Sequence, residues 1–337
     1  MTIAKTEVKT LTGLQGNAIP DELLLQNEPF IVRGLVSDWP LVQAGRQSAA
    51  AAMQYMEQFY SGKPVVVYSC APEKNGQFFY DETCTALDFE ATRAPLTEVL
   101  NRLRDFAGKS DVPGIYVGST TIDTWLPGFR AENDLDLAQH NPLVSLWLGN
   151  RSRIAAHFDA PNNIACCVVG KRRFTLFPPE QVGNLYVGPL HFTPSGQAIS
   201  LVDFAKPDLQ KFPRFAEAME HAQVADLSAG DVLFIPSMWW HHVEALDDFN
   251  VLVNYWWRKA PPHADLPLDV LYHAMLSIRD LAPNEKQAWK AIFDHYIFSD
   301  QDHKYDHIPE QARGFLSPLD DDKARRLRSW LINKLNR

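Results

Sequence analysis

The sequence predicts a mainly β fold with flanking helices, in which an antiparallel barrel or double-sheet jelly roll precedes a helical C-terminal region. Short runs of β-branched and aromatic residues follow one another from about 144 to 258. Turn residues such as Gly170-Lys171 and Pro178-Pro179 separate these runs, as in all-β barrels. After Pro261-Pro262 the apolar residues recur at helical spacing instead.

The segment ahead of the barrel alternates between strands and helices. Strands are predicted at Pro29–Val36, Lys63–Ser69 and Gly114–Gly118, and helices over 46–60 and 87–107. The expected organisation is therefore an α/β flank over 1–143, a barrel over 144–260 and a helical region over 261–337.

The barrel itself is predicted from six short runs with strand composition. They are Val144–Leu148, Ile154–Asp159, Asn163–Val169, Arg172–Phe177, Val232–Ile235 and Asn250–Trp257. Residues 183–223, which are rich in Pro and aromatic residues, must then form an insertion that loops out of the barrel. Cys166 and Cys167 are neighbours on one strand, so they should point to opposite faces and fill the core.

Three helices are predicted in the C-terminal region, over 268–279, 284–298 and 320–334. Ser317, followed by Pro318 and by Asp320, resembles a helix start. The last helix carries an apolar stripe that includes Leu327, Trp330, Leu331 and Leu335. A stripe of this kind packs against something, either the barrel or a second copy of the chain, so a homodimer through these helices is a hypothesis.

The composition is that of an ordinary globular protein, since 46% of the 337 residues are hydrophobic and 22% are charged. The net charge of −9 and the lack of a Lys/Arg run predict no nucleic-acid partner. No apolar stretch is long enough for a membrane span, and the N-terminus does not resemble a signal peptide. The four cysteines lack metal-type and disulfide-type spacing, so we expect a cytoplasmic protein without membrane association.

The segment His157-Phe-Asp159 is the first candidate for chemistry. Residues two apart on a strand face the same side, so an imidazole and a carboxylate can point at one site. A lone His-x-Asp is weak, but His241 follows Gly230 and Pro236 at a spacing that places an imidazole just past a bend. Two histidines and one carboxylate form the usual facial set of non-haem Fe(II) oxygenases.

These motifs resemble the two sequence motifs of the cupin superfamily, and more specifically the cupin-like branch of the Jumonji-C-type 2-oxoglutarate oxygenases. The branch includes the asparaginyl hydroxylase that acts on hypoxia-inducible factor. The resemblance covers about residues 29–260. It rests on His157 to Asn163, Gly170 to Pro179, Val202 to Phe215, Gly230 to His242 and Val253 to Trp256.

The resemblance implies a double-stranded β-helix core and an Fe(II)- and 2-oxoglutarate-dependent dioxygenase that uses O2 to hydroxylate a C–H bond. The metal ligands would be His157, Asp159 and His241, with the adjacent His242 as a minority candidate. Related halogenating enzymes leave one coordination position open for halide. Because the carboxylate of Asp159 would fill that position, hydroxylation is favoured over halogenation. The expected substrate is an amino-acid side chain in a protein or peptide, or a small molecule.

The far carboxylate of 2-oxoglutarate needs a cation inside the barrel. Arg172 shares a strand face with Phe174 and Leu176, which indicates that this face looks inward, and its guanidinium could hold a carboxylate through two hydrogen bonds. The resembled hydroxylase has lysine here, so Lys171 is an alternative through a register shift. A third reading leaves all the basic residues in this segment in solvent.

The resemblance assigns four more residues to the cosubstrate pocket: Tyr116, Asn163, Asn254 and Trp256. Ordinary barrel packing is the alternative for each of them. Ile154 is a second departure, because the family often has a threonine there that contacts the cosubstrate carboxylate. Isoleucine cannot donate that hydrogen bond.

Two other classes of protein remain open. One is a non-oxidative metal-binding cupin, either an isomerase or a small-ligand binding protein. Such cupins usually present further histidines and a glutamate, and residues 160–169 contain neither. The other is a metal-free scaffold, which retention of all three proposed ligands disfavours.

Overall fold

A computed structural model describes residues 6–14, 16–194, 196–299 and 304–336. The chain divides into two compact units, Met1–Arg258 and Lys259–Arg337. All the strands lie in the first unit, and the second unit is helical over the part described. The three-part division at 143 and 260 stays a prediction.

Strands provide the frame of the first unit. In chain order they are β1 (Thr6–Glu7), β2 (Lys9–Leu11), β3 (Phe30–Val32), β4 (Val65–Cys70), β5 (Gln77–Phe78), β6 (Glu90–Ala94), β7 (Gly114–Thr121), β8 (Leu143–Gly149), β9 (Ser152–Phe158), β10 (Asn162–Val169), β11 (Lys171–Phe177), β12 (Gln223–Ser228), β13 (Val232–Ile235), β14 (Trp240–Ala245) and β15 (Asn250–Trp257).

Two sheets face each other. One has the order β1-β12-β11-β14-β9-β5, and the other has the order β2-β3-β13-β10-β15-β8-β7-β4-β6. The strand β15 is last in the sequence, yet it lies in the middle of the larger sheet between β10 and β8. The predicted jelly-roll core with flanking helices is confirmed.

The core has two layers, and β10 belongs to both. Cys166 lies in the apolar cluster on the outer, helix-covered side of the larger sheet, together with Leu41 and Leu100. Cys167 lies in the cluster between the two sheets, together with Phe174 and Leu252. Both thiols are buried, as the alternation of side chains along a strand predicts.

Five α-helices accompany the strands among the residues described in the first unit. They are α1 (Pro40–Gln47), α2 (Ala49–Glu57), α3 (Leu96–Phe106), α4 (Ile122–Trp125) and α5 (Phe215–Glu220). The single helix predicted over 46–60 is two helices, because Ser48 is extended and its hydroxyl accepts the backbone N–H of Ala51 at 3.0 Å.

The helix predicted over 87–107 is wrong in its first half. Glu90–Ala94 is the edge strand β6, paired with β4, and the helix begins only at Leu96. The physical reason is Pro95, which disfavours helical backbone in the residue before it. The apolar periodicity of Leu96, Val99, Leu100 and Leu103 is genuine, and all four side chains are buried.

The insertion between β11 and β12 folds into a layer of its own. Leu185, Val202 and Phe215 of the insertion form an apolar cluster with Phe177 and Trp240 of the barrel. The backbone N–H of Ser200 donates to the carbonyl of Ala156 on β9 at 2.7 Å. The insertion is therefore attached directly to the strand that carries His157.

The second unit contains α6 (Pro267–Ser277), α7 (Pro283–Phe293), a π-helical turn at Asp294–Phe298 and α8 (Asp321–Leu335). The helix predicted over 320–334 is α8, but its N-cap is Asp320 rather than Ser317: Asp320 Oδ1 accepts the N–H of Lys323 at 2.8 Å. Among the residues described in this unit, only Ala324 is buried. No described helix combines the length and apolarity needed to cross a bilayer.

Candidate metal centre

Two neighbouring antiparallel strands bring the proposed histidines together. His157 on β9 lies directly opposite His241 on β14, and Asp159 follows β9 by one residue. One ligand atom from each of the three lies within 4.8 Å of the others. The rings of the histidines are 4.3 Å apart between centroids, and His241 Nε2 is 3.5 Å from Asp159 Oδ2.

Backbone hydrogen bonds fix the orientation of both imidazoles. His157 Nδ1 lies 2.9 Å from the carbonyl oxygen of Ala155, and His241 Nδ1 lies 3.0 Å from that of Trp239. A carbonyl only accepts, so each Nδ1 must carry the proton. Each Nε2 then presents its lone pair, which is the tautomer that a metal ligand requires.

A β-bulge determines which side chains of β9 enter the site. The pairing of β9 with β14 shifts between His157 and Ile154, so β9 has one residue more than β14 over this stretch. The side chains of Ile154 and His157 therefore line the same pocket, although they are three residues apart on β9. Bulges commonly redirect side chains beside functional sites.

His242 points away from this cluster. Its ring stacks on Phe204 of the insertion, with 4.5 Å between centroids and 17° between the ring planes. The adjacent residues His241 and His242 are both buried, but only His241 lies with His157 and Asp159. The structure therefore separates the two candidate histidines onto opposite faces of the strand.

The bend between β13 and β14 joins the two halves of the cluster. Met238 has a φ of 69° and donates its backbone N–H to the carbonyl of Asp159 at 2.9 Å. The hydroxyl of Ser237 donates to the carbonyl of Ala160 at 2.6 Å. A non-glycine residue in the left-handed region costs free energy, and such residues concentrate at functional sites.

The surroundings set the charge of the three groups. Burial lowers the pKa of His157 to about 4, and the nearby His241 acts in the same direction. Burial alone would raise the pKa of Asp159, but its hydrogen bond to His241 and the two imidazoles leave it below the ordinary value. At neutral pH His157 is therefore a neutral imidazole beside an ionised carboxylate, as a divalent metal prefers.

A cavity of about 120 Å³ opens from this cluster into the space between the sheets. Arg172 lies in its wall, buried on β11, with 3% of its surface exposed. Its Nε has no hydrogen-bond partner, and among the described residues it forms no salt bridge. Burial lowers the pKa of Arg172, while Tyr116 and Cys167 favour its charged form.

An unpaired guanidinium inside a protein is costly, so the cavity around Arg172 is suited to an anion. The alternatives for this segment do not reach the pocket: Lys171 is exposed, and Arg173 pairs with Asp226 at 2.6 Å. Tyr116 lines the same wall, and burial strongly raises the pKa of its hydroxyl. The phenol therefore stays protonated and is available as a hydrogen-bond donor.

The two predicted asparagines form one chain of hydrogen bonds with Trp147. Trp147 Nε1 donates to Asn254 Oδ1 at 2.7 Å, and Asn254 Nδ2 donates to Asn163 Oδ1 at 3.3 Å. Trp256 packs edge-on against Trp147 at 5.5 Å, and its own Nε1 has no partner. All four residues line the cavity.

Other wall residues were not found from the sequence. Tyr68, Phe78 and Phe89 come from the N-terminal flank, and Pro194, Gln197 and Ile199 come from the insertion. Along β8, Ser145 and Trp147 point to one face of the sheet, and Val144 and Leu146 point to the other face. This alternation could have predicted that Trp147 lines the cavity.

The donor set and the cavity fit Fe(II) and a dicarboxylate. Two imidazoles and a carboxylate on one side leave metal positions open. The guanidinium of Arg172, whose Nε has no hydrogen-bond partner, supplies a cation for the far carboxylate of such a dicarboxylate. The planar geometry of a guanidinium matches that of a carboxylate. Ile154 adds only an apolar contact to the wall.

The profile of the cupin-like domain family matches residues 17–263. It confirms the predicted resemblance to the cupin-like Jumonji-C-type proteins. The chain is 32% identical over 128 residues to lysine-specific demethylase JMJ31 of Arabidopsis thaliana. The aligned region covers 36% of this chain and 23% of that protein.

Two further relatives are similar over comparable lengths. HSPB1-associated protein 1 of Homo sapiens is 32% identical over 149 residues, 43% of this chain and 30% of that protein. The tRNA wybutosine-synthesizing protein 5 of Mus musculus is 36% identical over 121 residues, 36% of this chain and 33% of that protein. The matched part thus spans a third or less of each of these relatives.

Proposed function

The chain belongs to the cupin-like domain family, and we propose that it is an oxygenase that depends on Fe(II) and 2-oxoglutarate and hydroxylates a C–H bond. The observation that carries the proposal is the convergence of His157, Asp159 and His241 beside the unpaired guanidinium of Arg172. A metal site and an anion site in one small cavity are what a metal-chelating dicarboxylate needs.

His157, Asp159 and His241 would hold Fe(II), and Arg172 with the hydroxyl of Tyr116 would hold the far carboxylate of 2-oxoglutarate. Together the bound metal and cosubstrate would supply the activation of O2. The protein's own contribution is orientation: two backbone carbonyls fix the imidazole tautomers, and the Trp147–Asn254–Asn163 chain stiffens the wall.

The proposed substrate is a neutral group, such as an amino-acid side chain in a protein or peptide, or a small molecule. Among the described residues that line the cavity, Asp159 is the only carboxylate, and it belongs to the candidate metal cluster. A methylated lysine would therefore find no free counter-charge, although one relative is named as a lysine demethylase. The net charge of −9 disfavours an RNA substrate such as another relative's name suggests.

The test is anaerobic visible absorption of the apoprotein, titrated first with Fe(II) and then with 2-oxoglutarate. We expect a charge-transfer band only when both are present, and none in the Asp159→Ala/His241→Ala variant. Bound Fe(II) without such a band would refute the 2-oxoglutarate assignment.

The second candidate function is a non-oxidative metal-binding cupin, which the three-residue metal cluster also permits. Tight retention of Zn(II) or Mn(II) with no response to 2-oxoglutarate would favour it. If the band is observed, mass spectrometry of candidate peptides and small molecules decides the reaction: added oxygen indicates hydroxylation, and loss of a methyl group indicates demethylation.

A further inference from the structure

The cavity is too small to hold a whole substrate together with the cosubstrate. Its volume is about 120 Å³, whereas an engineered cavity of about 150 Å³ in another protein binds a single benzene ring. 2-Oxoglutarate alone has more non-hydrogen atoms than benzene. With metal and cosubstrate in place, the cavity would therefore admit only the reacting group. Residues that recognise the rest of the substrate must lie outside it, on the rim beside the metal cluster.

Met238 lies on this rim, next to the metal cluster. Its backbone N–H donates to the carbonyl of Asp159 at 2.9 Å, and the side chain of Asp159 is 14% exposed. The side chain of Met238 is 40% exposed and belongs to none of the apolar clusters formed by the described residues. An apolar side chain is therefore displayed to solvent directly beside a partly exposed ligand of the candidate metal centre.

The backbone at Met238 gives no structural reason for a methionine. Among the seven described non-glycine residues with positive φ, only Tyr186 and Met238 have large side chains. Tyr186 is held by its own contacts: its ring packs on Phe212 with 5.0 Å between centroids, and its hydroxyl accepts the backbone N–H of Arg214 at 2.9 Å. Glycine would adopt the φ of 69° at residue 238 without strain. Met238 therefore raises the free energy of the folded state without compensating packing, which is typical of residues kept for function.

A second exposed apolar side chain lies at the same end of the barrel. Leu143 is 48% exposed and lies opposite Trp256, so the two side chains share a face of the sheet. The other neighbour of Trp256 is Asn163, which in turn lies opposite Ile235, three residues before Met238. Both Trp256 and Asn163 line the cavity. Leu143 therefore continues the cavity wall outward, at the end of the barrel where Met238 lies.

We propose that Met238 and Leu143 are substrate-contact residues, and that the substrate is a peptide segment with an apolar residue of leucine or methionine size beside the oxidised residue. This inference rests on the oxygenase activity proposed above. A peptide can insert one side chain into the cavity while its neighbours lie on the rim, as the small volume requires. Methionine suits such a contact because its unbranched, polarisable side chain adapts to partners of different shape.

The first test is selection from a library of peptides that have a central Asn, Asp or His and random neighbours. The library is incubated with the protein, Fe(II), 2-oxoglutarate and O2, and peptides that gain one oxygen atom are sequenced by mass spectrometry. We expect the wild type to enrich apolar residues beside the oxidised position several-fold. The enrichment should fall in Met238→Gly and Leu143→Thr and persist in Met238→Leu. The matched control is Leu209→Gly, at a 49% exposed position in the insertion, which should keep the enrichment.

Binding and stability separate a contact role of Met238 from a structural one. Under anaerobic conditions, the dissociation constant of an enriched peptide should be about tenfold higher for Met238→Gly, because burial of an apolar side chain contributes a factor of this order or more. Resistance of the same variant to urea should be unchanged or higher, since glycine relieves the strain and keeps the N–H that donates to Asp159. Lower resistance with unchanged peptide affinity would show a structural role and overturn the proposal.

Failure of this inference and failure of the proposed function give different results. A charge-transfer band without oxidation of any peptide would leave the oxygenase standing and overturn the peptide substrate in favour of a small molecule. Oxidation that ignores the neighbouring residues would overturn the contact role of Met238 and Leu143. Absence of the band would overturn the oxygenase, and this inference with it.

Discussion

The barrel and the helical unit are each incomplete, but in opposite ways. The barrel keeps polar atoms without partners in its interior, at Arg172 Nε and Trp256 Nε1, whereas the helical unit leaves apolar side chains such as Leu276 uncovered. An unpaired buried cation is stabilised by an anion, and an uncovered apolar surface by another apolar surface. The comparison therefore indicates that a small anionic ligand would stabilise the barrel, whereas it could not stabilise the helical unit, whose exposed groups are apolar.

The largest expected effect separates the two adjacent histidines of β14. His241→Ala should weaken Fe(II) binding by more than about 100-fold, because loss of even an outer hydrogen-bond partner of a ligand costs about 10–100-fold. His242→Ala should leave affinity within a few-fold, since its ring stacks on Phe204. Chelator competition under anaerobic conditions measures both. Equal losses would mean that the metal is held elsewhere.

Arg172→Met should remove the unpaired cation from the interior of the barrel. We expect 2-oxoglutarate affinity to fall by about 30-fold or more, because truncating one side of a buried charge pair costs about 2–5 kcal/mol. Without ligand, the same variant should be as stable as the wild type or more stable by about 1 kcal/mol, since apolar residues often replace buried charges favourably.

Calorimetric binding and chemical denaturation of the ligand-free protein test these two effects. Arg172→Lys is the control, which keeps the charge and loses the planar guanidinium. Arg172→Met with unchanged 2-oxoglutarate affinity would exclude the proposed grip on the carboxylate.

Ligand binding should stabilise the two regions unequally. At 100 times the dissociation constant, Fe(II) with 2-oxoglutarate should raise the unfolding free energy of the barrel by about 2.7 kcal/mol. Hydrogen exchange should show the gain on β9, β11 and β14 and none on α6–α8. Equal gains throughout would show that the two regions unfold as one cooperative unit.

The smallest expected effect comes from Ile154→Thr. The added hydroxyl would donate one hydrogen bond to the cosubstrate, so 2-oxoglutarate should bind about two- to tenfold more tightly, as one hydrogen bond contributes about 0.5–1.5 kcal/mol. Ile154→Val has the shape of threonine without the hydroxyl and is the matched control. An identical affinity in the two variants would place the carboxylate away from residue 154.

The sequence predicted strands best where the local pattern and the final pairing agree. The bounds of β13 and β15 are those expected, because unbroken apolar runs such as Val232–Ile235 suit a strand that is buried on both faces. The helix at 96–106 was assigned too early a start because Glu90–Ala94 has no strong strand pattern of its own. The conformation of Glu90–Ala94 is decided by its pairing with β4, which lies about 20 residues earlier in the chain.

The convergence of the three candidate ligands could be predicted from the sequence, and the walls of the cavity less so. The spacing of His157, Asp159 and His241 is a local property of two strands. In contrast, the bulge beside Ile154 and the aromatic wall of Tyr68 and Phe89 depend on how distant strands meet. Pairing across long sequence separations is not written in any one window of residues.

The central position of the final strand has a consequence for synthesis and folding. Because β15 separates β10 from β8, the larger sheet cannot close until residue 257 has left the ribosome. Most of its contacts are distant in sequence, and such topologies fold slowly. A growing chain that already contains His157 and Asp159 would still expose the edges of β8 and β10, which is when unpaired strand edges attract other chains. Assistance from chaperones during translation should therefore matter more for this protein than its native stability suggests.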